Sequence, residues 1–149
     1  MDELDRLFEC AVEIAVRAHE GQRDKGGNPY IDHPLAVAAG LAEKKLKIVG
    51  VLHDVLEDSD LTAKDLLASG IPQELVEAVC VLTHKKGDSL SYADYIYLVK
   101  KNPMARAVKI SDIRHNLQLS RIPNPTARDY ERCEKYKRAL SYLEAADEV

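Results

Sequence analysis

The chain lacks any long hydrophobic run. A membrane-spanning helix needs about 20 consecutive apolar residues, so a membrane protein is not expected. The acidic start, Met1-Asp2-Glu3-Leu4-Asp5, lacks the basic-then-apolar order of a secretion signal. Cysteines are few: Cys10, Cys80 and Cys133 are odd in number, widely spaced and without a CxxC. That argues against both a disulfide framework and a thiolate zinc site, and it fits a reducing cytoplasm. The apolar surroundings of Cys10 and Cys80 predict buried thiols. An excess of positive charge is also missing. The net charge is −4 and the pI about 5.7, which speaks against DNA or RNA as the main ligand but leaves room for a local basic pocket.

What is present is one domain of 149 residues, 46% hydrophobic and 31% charged, enough to bury a core without staples. No repeat, low-complexity tract or inter-domain linker is apparent, and no strand-like alternation. Helical spacing dominates. Leu4, Leu7, Phe8, Ala11, Ile14, Ala15 and Ala18 define a first helix over residues 2–20. A polar, glycine-rich loop over residues 21–29 follows. Further helices are expected at 34–43, at 46–58 interrupted at most by Gly50, and from Thr62 to near Gly70. Others should run from Pro72 to near His84, over 91–101, over 103–121 and over 126–146. The fold class is therefore all-α, a compact bundle of about seven or eight helices.

Chemistry concentrates in Gly50-Val51-Leu52-His53-Asp54-Val55-Leu56-Glu57-Asp58. On a continuous helix, residues four apart differ by only about 40° around the axis. His53 would then stack near Glu57, and Asp54 near Asp58. Two readings stay open here. One is a solvated face with a satisfied histidine. The other is a metal-linked site, because the flanking Val51, Leu52, Val55 and Leu56 predict burial, where carboxylates are costly without a partner. His33, in Tyr30-Ile31-Asp32-His33-Pro34, reads alone as a helix-terminal histidine. Asp112 reads alone as the partner of Lys109 or Arg114. Taken together, His33, His53, Asp54 and Asp112 form a mixed N/O set suited to Mn²⁺, Fe²⁺ or Zn²⁺.

The order His33, His53-Asp54, Asp112 resembles the H…HD…D pattern of the HD superfamily of metal-dependent phosphohydrolases. Four segments carry the likeness further: Ala18-His19-Glu20-Gly21-Gln22, Pro29-Tyr30-Ile31-Asp32-His33-Pro34-Leu35, His53-Asp54-Val55-Leu56-Glu57-Asp58-Ser59, and Val108 through Asn116. They resemble the hydrolase domain of RelA/SpoT proteins and its small stand-alone relatives, from about His19 to Tyr136. The resemblance implies an all-helical HD bundle covering residues 1–149 and one Mn²⁺ held by His33, His53, Asp54 and Asp112. It implies hydrolysis of the 3′-pyrophosphate of guanosine tetra- or pentaphosphate, giving GDP or GTP plus pyrophosphate. Glu57 and Asp58 match the acidic pair that activates the water. Asn116 matches a substrate-contacting asparagine. Tyr136 falls where a tyrosine meets the nucleotide, and reads equally as a core tyrosine.

One position departs from the family pattern. The family has Arg-Lys before Pro-Tyr, whereas this loop reads Arg23-Asp24-Lys25. Asp24 stands at the arginine position, and Arg23 and Lys25 are the nearby candidates for substrate contact. Lys109 and Arg114 are further candidate cations for the pyrophosphate, with Lys109 the better oriented. Lys85 and Lys86 read as solvated, with a role in drawing in an anionic ligand as the alternative. The expected partner is a small-molecule nucleotide, in the cytoplasm, with no nucleic acid and no membrane. Other readings are an HD phosphohydrolase for another nucleotide, such as the adenine counterpart or a monophosphate, and a nucleotide-sensing module without catalysis. At 149 residues the chain is not expected to synthesise the alarmone or bind ribosomes.

Overall fold

The computed structural model describes residues 2–85, 87–118 and 122–146. Among these, nine helices form and no strand, beyond one antiparallel bridge between Arg23 and Pro29. They are α1 (Glu3–Ala18), α2 (Asp32–Ala39), α3 (Lys44–Leu52), α4 (Val55–Asp58), α5 (Ala63–Ala68), α6 (Gln73–Leu82), α7 (Tyr92–Lys101), α8 (Pro103–Asn116) and α9 (Ala127–Glu144). Side-chain caps set several starts, Thr62 among them as the sequence predicts. Thr62 and Thr126 each form a reciprocal capping box, with Asp65 and Asp129. Asp2, Ser91 and Asn102 accept from backbone N–H groups at the starts of α1, α7 and α8.

The centre of the bundle is α3. Ile48, Val49, Gly50, Val51 and Leu52 are all buried, and a helical stretch apolar all round has to be surrounded. It packs against α1, α2, α6 and α8. Gly50 permits a close approach of α2 and the residues that follow it. A Cβ there would meet Leu41 Cδ1 at 3.0 Å and Ala38 Cα at 3.4 Å. Gly50→Ala asks only the flexible end of Leu41 to yield. Gly50→Val brings branched carbons onto the α2 backbone and should cost about 1–3 kcal/mol, measured by urea unfolding beside the alanine variant. The same contact between α2 and α3 sets the separation of His33 and His53.

The sequence expectation of one helix over 46–58 fails at the His53-Asp54 pair. His53 Nδ1 donates to Gly50 O at 2.6 Å, and a side chain entering the backbone ladder breaks or kinks a helix. Asp54 takes φ −104° and ψ −1°, close to the bridge region where many active-site residues sit. The helical turn resumes when Asp58 N–H bonds Asp54 O at 2.9 Å. This split brings the helices to nine rather than seven or eight among the described residues.

Other limits shift as well. α1 spans Glu3–Ala18 instead of 2–20, since Asp2 caps its start and His19 its end. α2 runs Asp32–Ala39 instead of 34–43, because Gly40 closes it. α6 stops at Leu82, with Thr83 extended. α9 ends at Glu144 rather than residue 146. α8 ends at Asn116. The expected terminus at Arg121 lies outside the described residues, as does Lys86. The thiol expectation is corrected too. Cys133 is buried, Cys10 half-buried and Cys80 exposed. Cys80 sits on the solvent side of α6, opposite the stripe Leu75, Val76, Val79, Leu82 that enters the core.

Candidate metal and nucleotide site

Three segments distant in sequence meet at the α2–α3–α8 junction. The first turn of α2 carries His33, the α3–α4 break carries His53 and Asp54, and α8 carries Asp112. Ser111 Oγ ties α8 to α2 through Val37 O at 2.8 Å, beside Gly40, where a Cβ would come within 2.6 Å of that hydroxyl. His33, His53 and Asp112 are each at most 4% exposed. Each offers one ligand atom, and these atoms lie within 4.8 Å of one another. Asp54 Oδ2 is 3.0 Å from His53 Nε2 and 3.9 Å from His33 Nε2.

Neighbours orient these groups. Tyr30 Oη donates to Asp54 Oδ2 at 2.5 Å. Asp112 Oδ1 accepts from Asn116 Nδ2 at 3.1 Å and meets His33 Nε2 at 2.8 Å, while Oδ2 accepts from Lys109 Nζ at 2.8 Å. His33 Nδ1 faces His115 Nδ1 at 2.7 Å.

Donor counting shows what the cluster suits. His53 spends Nδ1–H on Gly50 O, so its buried Nε2 has no hydrogen-bond partner. That nitrogen faces carboxylate oxygens of Asp54 at 3.0 Å and Asp112 at 3.4 Å. A lone pair against two carboxylates is repulsive unless a cation lies between them. Burial alone would lower the His53 pKa, but Asp54 and Asp112 outweigh it and hold it well above the ordinary imidazole range. Conversely, burial would raise both carboxyls. Lys109 and then His53 hold Asp112 well below its usual range, and His53 holds Asp54 at about 2. The donor set therefore fits a divalent ion, with a proton on His53 as the substitute charge.

The acidic pair lies at the exposed rim. Glu57 Oε1 accepts from His84 N–H at 2.8 Å. Partial desolvation raises the Glu57 pKa. Desolvation and the adjacent Asp54 carboxylate push Asp58 up to about 6. Gln22 Nε2 anchors this turn through Asp58 O at 2.9 Å.

A cavity of about 460 Å³ opens beside His33 and Tyr30, and Arg23, Lys25, Asn116 and Tyr136 all line it. Asp24, Asp129, Arg132 and Cys133 line it too. Lys25 Nζ and Arg132 Nη1 each lie 3.2 Å from Asp129 Oδ1. Thr126 N–H, followed by Lys25, holds the Asp129 carboxyl at about 2. Arg23 donates to Gly27 O at 3.0 Å. Asp24 accepts from the N–H groups of Gly26 and Asn28, both at 2.9 Å, so it shapes the loop. A roomier cavity of about 710 Å³ between α7 and α9 contains none of the clustered histidines.

Of the further candidate cations, Lys109 is committed to Asp112 and only 14% exposed. Arg114 pairs with Glu144 at 2.9 Å on the surface. The sequence reading gave no role to Tyr30, His115, Asp129 or Arg132. Tyr30 and His115 lie inside the quoted segments. Arg132 stands four residues before Tyr136, one helical turn away, which is the signal that could have found it.

No model of a protein family matches the chain. It is 35% identical over 129 residues to the bifunctional (p)ppGpp synthase/hydrolase SpoT of Escherichia coli, covering 78% of this chain and 18% of that protein. It is 44% identical over 87 residues to the guanosine-3′,5′-bis(diphosphate) 3′-pyrophosphohydrolase of Vibrio cholerae, covering 54% of this chain and 12% of that protein. The chain thus spans less than a fifth of the length of these relatives. Its fold matches a solved structure described as a metazoan ortholog of SpoT that hydrolyzes ppGpp, with TM-score 0.74 and 22% identity, over 95% of this chain and 87% of the other.

Proposed function

We propose that the chain, similar to SpoT and to a guanosine-3′,5′-bis(diphosphate) 3′-pyrophosphohydrolase, is an HD-type metal-dependent phosphohydrolase of the RelA/SpoT kind. It removes the 3′-pyrophosphate of guanosine tetra- or pentaphosphate, leaving GDP or GTP. The observation that carries this reading is the juxtaposition of the buried His33–His53–Asp112 cluster with a cavity lined by Arg23, Lys25, Asn116 and Tyr136. His33, His53, Asp54 and Asp112 would hold one divalent ion, Mn²⁺ in this proposal. Such an ion would supply Lewis acidity, lowering the pKa of a bound water and screening phosphoryl charge.

The remaining roles belong to side chains. Glu57 takes the proton of the attacking water, and Asp58, with its pKa raised to about 6, positions that water in its deprotonated form. Tyr30 holds Asp54 through Oδ2. Asn116, already on Asp112 Oδ1 and in the cavity lining, contacts the nucleotide. Arg23 and Lys25 supply the local positive charge that a net charge of −4 cannot supply globally. The proposed location is the cytoplasm, supported by three free cysteines. Among the described residues no helix is long and apolar enough to cross a membrane.

Asp24 supports a second reading within the same chemistry. Its carboxylate is used by the loop backbone, so position 24 offers no guanidinium to the purine. Turnover of the adenine counterpart alongside the guanine nucleotide is expected. The test is a panel of 3′-pyrophosphorylated guanosine and adenosine nucleotides, assayed with Mn²⁺ and with chelator. Metal-dependent turnover of the guanosine member supports the proposal, and inertness toward every member refutes it. In the same assay Arg23→Ala or Lys25→Ala should raise KM about tenfold, the equivalent of roughly 1.4 kcal/mol, with metal content unchanged. Lys25→Ala also leaves the Asp129 carboxylate with less counter-charge facing an anionic substrate.

A further inference from the structure

Asp112 and His115 stand three residues apart on α8, hence on one face, and both meet the ring of His33. The His33 and His115 rings lie edge to edge, with centroids 4.9 Å apart and planes 25° apart, and their Nδ1 atoms are separated by 2.7 Å. Two nitrogens that close share one hydrogen, because two lone pairs or two N–H groups would repel. On its other side the His33 ring presents Nε2, which lies 2.8 Å from Asp112 Oδ1. Without an ion that 2.8 Å contact holds a hydrogen on Nε2, whereas ligation requires Nε2 to carry a lone pair. A neutral imidazole then bears its hydrogen on Nδ1. That hydrogen points at His115 Nδ1, which has to be the acceptor, so the hydrogen of His115 sits on Nε2.

We propose that His115 is a positioning residue for the metal centre, an inference that rests on the metal reading above. It accepts from His33 Nδ1–H and thereby fixes the tautomer and rotation of the ring that presents Nε2 to the ion. His53 achieves the same orientation differently, through Gly50 O at 2.6 Å. Metal-bound histidines commonly lean on a carboxylate, carbonyl or water. Here one leans on a backbone carbonyl and the other on an imidazole whose own tautomer is thereby dictated.

The test uses Zn²⁺, which is diamagnetic, on the full chain. Affinity is measured by competition with a chelating indicator for wild type, His115→Phe and His115→Gln. Histidine tautomers of the zinc-loaded wild type are read from ¹⁵N-labelled rings by NMR. The expected spectrum places hydrogen on Nδ1 of His33 and on Nε2 of His115. His115→Phe keeps an aromatic ring against His33 but removes the acceptor, and should weaken zinc binding 10–100-fold. His115→Gln supplies an amide oxygen and should recover most of that loss. Unchanged affinity in His115→Phe, equal losses in both variants, or hydrogen on His115 Nδ1 in the loaded wild type would each overturn the inference. If His115→Phe fails to fold, the wild-type spectrum decides. A wild-type chain that binds no zinc overturns the metal reading itself, an outcome distinct from unchanged variants of a wild type that does bind.

Discussion

His53→Ala is expected to lose the divalent ion and the hydrolytic activity together. His53 Nε2 is buried, unpartnered and aimed at Asp54 and Asp112, so no hydrogen bond competes with an ion for it. Changes in the outer shell of a metal site cost about 10–100-fold in affinity, and removing a ligand should cost more than that. Metal content after dialysis and turnover with added Mn²⁺ are the two readouts, taken on protein whose helical circular dichroism matches wild type. The wild type should also bind metal more weakly as pH falls. Asp54 and Asp112 hold the His53 proton on well above the ordinary imidazole range, and an incoming ion has to displace it. An alanine variant that kept stoichiometric metal would remove His53 from the ligand set.

Glu57→Gln is the complementary case, with metal retained, KM nearly unchanged and kcat reduced by about 10²–10⁴. Its Oε1 is fixed by the His84 N–H at 2.8 Å, and an amide oxygen can accept the same bond, so the geometry survives while the basicity disappears. Asp58 lies in the adjacent position with its pKa pushed up to about 6 by desolvation and Asp54. A water-positioning carboxylate has to be deprotonated to accept from the water, so kcat/KM should fall as pH drops through about 6, and Asp58→Asn should erase that limb from its reduced activity. Near-normal turnover by Glu57→Gln would end its assignment as the group that handles the water's proton.

The sequence made the helices legible through periodicity, breakers and the Thr62 cap. The starts expected near residues 91, 103 and 126 are present, and the structure adds the caps Ser91, Asn102 and Thr126. The break at His53-Asp54 was not legible, because apolar spacing carries no record of an imidazole bonding back to Gly50 O. The exposure of Cys80 escaped for a related reason. Its neighbours are apolar, but its own direction on α6 faces solvent.

At the site, a count of angles placed Lys109 on the Asp112 side of α8. It could not reveal that the ammonium is consumed there, buried and bonded to Oδ2. The pairing of His33 with His115 spans 82 residues, and Lys25 with Asp129 spans 104. Separations of that size are set by the packing of α2 and α9 around α8, and local spacing contains no trace of them. Residue identities located the chemistry, while tertiary contacts assigned the partners.

The central claim is a metal-dependent cleavage at the 3′-pyrophosphate, and ³¹P NMR of the products tests it most directly. Guanosine 3′,5′-bis(diphosphate) incubated with the chain and Mn²⁺ should yield pyrophosphate and GDP in equal amounts. The same mixture with excess chelator should remain unchanged. Orthophosphate released from ordinary nucleoside 5′-monophosphates, with the 3′-pyrophosphate left intact, would contradict the claim and assign the site to a different phosphohydrolase reaction.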